Sequence, residues 1–373
     1  MYCNDSILIY RFSQGKNGGQ PVKGTIFAAY LALLILAVTA FCLVWRGSGE
    51  EEAPPESAAG PSPAASPTSE MGPAASPSPA PSLAPTTEPA AALPAAQAAP
   101  ERLLVKCGGE VYDVALEEYL VGVVAAEMPA SFQDEALKAQ AVAARTYAMY
   151  CALGQKHGEA QVCTDYACCQ AWQSDETLRQ KWGGDYDAYS QKIRAAVEAT
   201  AGQYLSYEGQ PAFAAFHSSS AGATEDCGQV WNPSPYLISV SSPETAEDVP
   251  NYVSTVECTP LDFRDTLLYA HPEADFTGEE SGWIGQISLD GSGRVASLVL
   301  GGVSVKGTEL RQLFRLRSTA FALEYTGESF RFTVTGYGHG VGMSQYGANV
   351  MAREGETYTN ILAHYYPGTV LAG

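Results

Sequence analysis

Residues 47–100 hold thirteen of the 23 prolines in this 373-residue chain, set among Ala, Ser and Glu with almost no large apolar side chain. Such a tract cannot bury enough apolar surface to offset the entropy lost on ordering, so it reads as a disordered linker. Just before it, residues 25–45 run TIFAAYLALLILAVTAFCLVW without a charge. A helix of that length spans roughly 30 Å, the thickness of a bilayer's hydrocarbon core. Arg11, Lys16 and Lys23 precede the run, whereas Arg46 is soon followed by Glu50, Glu51 and Glu52. This bias predicts a cytoplasmic tail over 1–24, a single uncleaved transmembrane helix over 25–46, and an extracytoplasmic remainder at the cell membrane. Only residues 101–373 are left to build a core.

That part mixes two hydrophobic periods and predicts an α+β domain of helices and short β-sheets, two-lobed, with a possible subdomain over 250–335. Around Gly108-Gly109, LLVKCGGEVYDVAL reads as a small hairpin. A buried helix from Leu116 ends at Glu127, because Pro129 removes a donor and pushes Met128 out of the α region. Ser131 followed by Asp134 suggests a capping box before an Ala-rich helix from about Phe132 to about Leu153, on which Lys138 and Arg145 share a face two turns apart. Further on, QYLSYEGQPAF turns at Glu208-Gly209, PLDFRDTLLYAH and ELRQLFRL read as helices, and QISLDGSGRVASLVLGG and FALEYTGESFRFTVTG read as hairpins. The net charge of −20 excludes a nucleic-acid partner, since phosphate binding needs a basic surface.

Glu127, at a corner beside Val124, Ala126 and Met128, is a candidate acid whose pKa partial burial would raise. His157, Cys163, Cys168 and Cys169 fall within thirteen residues. Three thiolates and an imidazole suit a closed, structural, tetrahedral zinc site, while disulfides are the alternative in an extracytoplasmic domain. A closed site leaves no position for a reacting water, so no cofactor is required for chemistry. Cys227 and Cys258 could pair or stand as buried thiols, and Cys107 and Cys151 read as core residues. His217 and Ser218 sit in a Ser-rich segment without the strand-turn-helix context of a nucleophile elbow, so they read as cleft wall. Near the C-terminus, Gly336, Gly338, Gly340 and Gly342 alternate around His339, and Ser344 can cap a helix that begins at Gln345 and ends before Gly355.

The runs VVAAEMP and ALKAQAVAARTYA, with FHSSSAG, GHGVGMSQYG and the closing HYYPGT, resemble the stage II sporulation protein D (SpoIID/LytB) family over roughly 101–373. The resemblance implies a lytic transglycosylase that cuts peptidoglycan glycan strands lacking stem peptides, in septal wall remodelling and engulfment during sporulation. It implies Glu127 as the catalytic acid, and substrate contacts by Lys138, Arg145, His217, Ser218, His339 and Gln345. It also implies zinc in the cysteine-rich segment, although Cys168-Cys169 stands where relatives have a His-Cys pair, and Ala221 where they have a second Gly. Partner amidases and other engulfment proteins are implied as well, and a competing reading is a non-catalytic glycan-binding scaffold that stimulates an amidase.

Overall fold

The computed structural model describes residues 99–154 and 156–373, so the predicted tail, membrane helix and nearly all of the linker lie outside the described residues. Among the described residues, no helix is long and apolar enough to cross a membrane. The fold is α+β with short sheets. A hairpin of β1 (Arg102–Cys107) and β2 (Glu110–Ala115) turns on Gly108 and Gly109, both at positive φ, and β3 (Val162–Cys163) joins β1 in parallel.

Helix α1 (Leu116–Glu127) follows β2 directly and buries nearly its whole length. It stops where the pre-proline residue must leave the helical region: Met128 adopts φ −117° and ψ 143°. Helix α2 (Asp134–Ala152) is the centre of the first core, with six of its alanines fully or almost fully buried, so that neighbouring helices approach closely. The predicted capping box does not form. The N-cap is Gln133, with no side-chain cap; instead its N–H donates to Asn349 Oδ1 at 2.8 Å, a tertiary contact in place of a local one.

Helices α3 (Asp175–Trp182) and α4 (Tyr186–Ala199) then lead to β4 (Tyr204–Tyr207) and β5 (Gln210–Pro211), whose turn places Glu208 and Gly209 at positive φ as a two-residue hairpin requires. The strand β14 (Val370–Ala372) completes that sheet. Near the centre of the molecule, β6 (Phe216–His217) pairs in parallel with β13 (Met343–Ser344), which runs straight into α8 (Gln345–Arg353) and then α9 (Tyr358–Tyr365). A short helix, α5 (Cys227–Val230), lies between.

A second core is aromatic. It gathers β7 (Val253–Cys258), α6 (Pro260–Ala270), β8 (Ile284–Leu289), β9 (Val295–Leu300), β10 (Val303–Lys306), α7 (Gly307–Leu313), β11 (Phe321–Tyr325) and β12 (Phe330–Thr335). Two sheets, ordered β10-β9-β8 and β11-β12-β7, enclose Phe263 stacked on Phe330 at 3.9 Å and Trp283 on the same ring at 5.5 Å. Arg294, almost wholly buried, reaches from this core to the first: it donates to the Ala223 carbonyl at 3.1 Å and stands 3.7 Å from Glu225.

Candidate active site

Glu127 is the last residue of α1, beside the negative end of that helix's dipole. Its Oε1 accepts the Ala171 N–H at 2.7 Å and its Oε2 accepts from Gln345 Nε2 at 3.2 Å. Burial pushes the carboxyl above its ordinary value, against these two hydrogen bonds, which favour the anion. The carboxyl faces a cleft of about 430 Å³ whose walls include Phe132, Lys181, Trp182, Tyr189, Ser218 and Tyr346. Among the described residues lining it, Glu127 is the only carboxylate and Lys181 the only cation.

Each wall has a local cause. The irregular segment carrying Ala171 lies directly on α1 because residue 122 is glycine: a Cβ there would stand 2.3 Å from Trp172 Nε1 and 2.7 Å from the Gln173 carbonyl. The Gln173 N–H donates back to the Gly122 carbonyl at 3.2 Å. Gln345 is delivered by the β13–β6 pairing and by Ser344, which caps α8 by accepting the Gly347 N–H. That pairing explains the alternating glycines. A Cβ at Gly342 would lie 2.0 Å from the Ala215 carbonyl and one at Gly338 would lie 2.7 Å from His217 Cβ, and both residues have positive φ.

The structure brings together Glu127, Ser218 and Gln345 in the cleft, with His217 and His339 behind Ser218. His217 is buried and its Nδ1 meets the Val341 carbonyl at 3.2 Å; a carbonyl only accepts, so Nε2 is left to accept the Ser220 hydroxyl at 2.7 Å. Ser220, itself sealed from solvent, donates its N–H to Glu244, which also accepts from Ser242 and Ser344. This closed network shapes the loop and offers no reacting group. His339 accepts the Val341 N–H and packs 4.7 Å from Trp231. Burial, with the His339 ring for His217 and Arg311 for His339, holds both imidazoles well below their ordinary value, so both are neutral.

Lys138 and Arg145 are not brought to the cleft. Lys138 pairs with Glu135 at 2.7 Å. Arg145 is fully buried, its fork on Glu117 at 3.0 and 2.6 Å with the Gln203 carbonyl taking a further N–H at 3.0 Å. Every face of that guanidinium serves the core. Conversely, Lys181, Trp182 and Tyr189 escaped the sequence reading. The available signal was Trp182, Tyr186 and Tyr189 at i, i+4 and i+7, an aromatic face on a helical segment with little other apolar content.

The ligand atoms of His157, Cys163, Cys168 and Cys169 all lie within 4.8 Å of one another, with His157 Nε2 at 3.1 Å from Cys169 Sγ. Tetrahedral zinc sets its ligand atoms roughly 3.5–3.8 Å apart, so this donor set fits the ion after small adjustments. These three thiols are free, as are Cys151, Cys227 and Cys258, and the last two belong to different cores. Cys107 is buried at the end of β1.

A family model described as SpoIID, Stage II sporulation protein, matches residues 108–207. The chain is 39% identical over 267 residues to Stage II sporulation protein D of Bacillus subtilis (strain 168), covering 70% of this chain and 76% of that protein. It is likewise 39% identical over 263 residues to the protein of the same name from Bacillus amyloliquefaciens, covering 69% and 74%. With an amidase enhancer of Bacillus subtilis (strain 168) it shares 31% identity over 306 residues, 68% of this chain but 40% of that one.

Proposed function

The chain belongs to the stage II sporulation protein D family, and from that premise we propose that it remodels the sporulation cell wall as a lytic transglycosylase acting through Glu127. The observation that carries the reading is a cleft with one carboxylate, half-buried and raised in pKa. Glycoside hydrolysis by water uses two carboxylates. One suffices when the sugar's own C6 hydroxyl is the nucleophile. Protonated Glu127 gives its proton to the glycosidic oxygen as the bond from C1 to that oxygen breaks. The resulting carboxylate takes the proton of the C6 hydroxyl as O6 bonds to C1, so a 1,6-anhydro-muramic end forms and no water is consumed.

His157, Cys163, Cys168 and Cys169 are proposed to hold one structural zinc, which would fill all four positions and contribute rigidity rather than a chemical step. Cys169 is two residues from Ala171, so the cluster braces the N–H that holds Glu127.

The test is mass spectrometry of products from stem-peptide-free glycan incubated with the full-length chain and with its Glu127→Gln variant. Anhydro ends are expected from the parent, at least about 10³-fold fewer from a folded variant. Equal product from both refutes the proposal. The similarity to an amidase enhancer favours a second reading, a glycan-binding scaffold for an amidase. That reading gains if neither protein cuts and both stimulate amidase release of stem peptides.

A further inference from the structure

Helices α3 and α4 carry four cations on the described surface: Arg179, Lys181, Lys192 and Arg194. Three are matched by carboxylates. Arg179 pairs with Asp175 at 2.9 Å, Lys192 with Asp134 at 3.5 Å, and Arg194 with Glu118. Lys181 is different. Its Nζ meets two neutral oxygens, the Ala125 carbonyl at 3.4 Å and Gln173 Oε1 at 3.3 Å, both near the limit of a hydrogen bond, and lies 5.9 Å from the centre of the Trp182 ring. The side chain is exposed overall, and partial desolvation of its ammonium lowers its pKa. Lys106, Lys156 and Lys306 also pair with no carboxylate among the described residues, but of these unpaired lysines Lys181 is the one that lines the Glu127 cleft.

Its position is equally specific. Lys181 lines the Glu127 cleft next to Trp182 and Tyr189, whose rings meet edge to face at 5.7 Å. Aromatic faces of this kind pack against the apolar CH face of a pyranose, with a polar group at the ring's margin to orient it. The two long bonds steady the amine while leaving its remaining N–H free to donate to an anion.

We infer that Lys181 is the specificity-determining residue of a sugar subsite on Trp182 and Tyr189, where its ammonium pairs with the free lactyl carboxylate of a peptide-free muramic acid. The inference rests on the glycan reading of the same cleft. A stem peptide converts that carboxylate to an amide, which removes the charge and adds bulk, so strands still carrying peptides bind poorly. A lysine rather than an arginine suits the task, because a point charge on a flexible stem follows the lactyl group as the ring seats.

The experiment uses the full-length chain as its Glu127→Gln variant, so that glycan is bound and not cut, with calorimetry as the readout. Three probes are compared: peptide-free glycan, the same glycan with its lactyl carboxylates converted to methylamides, and an N-acetylglucosamine oligomer. With Lys181 present, amidation is expected to weaken binding about tenfold, the worth of one exposed charge-assisted contact of roughly 1.4 kcal/mol. Lys181→Met is expected to weaken the free-acid glycan by a similar factor while leaving the methylamide and the N-acetylglucosamine oligomer unchanged. Lys181→Arg is expected to restore discrimination between acid and amide. The inference is overturned if Lys181→Met has no effect on any probe, or weakens all three alike. It is separable from the lytic reading: an acid-selective chain with native Glu127 that releases no anhydro ends refutes lysis alone, and a cutting chain blind to the carboxylate refutes this subsite alone.

Discussion

The pKa of Glu127 is set by three competing influences: burial raises it, while the Ala171 N–H and the Gln345 amide pull it back. Removing one donor therefore moves the balance in a known direction. Gln345→Met deletes a hydrogen bond to the anion, so the carboxyl stays protonated to higher pH. The proposed reaction uses the group as an acid, so the limb of kcat/KM lost with rising pH should move upward by about half a unit to one unit. A profile that stays put would show that Gln345 does not act on the carboxyl. The corner that holds Glu127 was legible in the sequence, because a residue before proline must leave the helical region; its role as an acid came from the family resemblance. Ala171 was not: its contribution is a backbone N–H, which no side-chain pattern announces. Arg145 misleads for a related reason, since a cation on a predicted helix face reads the same whether a ligand or a glutamate of a neighbouring helix takes its fork.

Among the elements, α1 and the segment 168–173 behave as one part. Gly122 lets the segment lie against the helix, and the Cys3His cluster closes its other end. Stripping metal from the full-length chain with a chelator should lower the melting temperature by roughly 10 °C, the scale of a few kcal/mol in a domain of this size. Metal analysis should find one zinc per chain beforehand, and Cys163→Ser should reproduce the loss. An unchanged melting temperature with no metal found would return the cluster to plain thiols. The cluster was readable from residue types and spacing alone, as were the hairpin at Gly108-Gly109, the corner after α1, the turn at Glu208-Gly209 and the Ser344 cap, all of which are local chemistry. The start of α2 was misread as a capping box because its actual tie, Asn349, lies 216 residues away in sequence.

In the whole molecule, the two cores are fastened by a charged group with an unusual state. Glu225 is buried against Asp290, and burial and that neighbour raise it to about 7, although Arg294 pulls the other way. A carboxyl raised on folding contributes stability fully below its unfolded value near 4.5 and loses that contribution as pH rises through about 7. The stability of the native chain relative to Glu225→Gln should accordingly fall by about 3 kcal/mol between pH 4 and pH 8, at about 1.4 kcal/mol per unit, as read by urea denaturation. A difference independent of pH would mean that Arg294 holds Glu225 ionised throughout. Nothing in the spacing of Glu225 and Arg294 signals their meeting, since each belongs to a different core.

The cleft joins residues 218 positions apart, with Glu127 on an early helix and Gln345 at the head of a late one. During synthesis the acid therefore exists long before its site does. A nascent chain that has not yet released β13 and α8 carries Glu127 without the amide that binds it and without the Tyr346 wall. Synthesis of β13 and α8 is thus the step that completes the cleft. A truncation before Met343 should leave an inert product rather than a weakly controlled one.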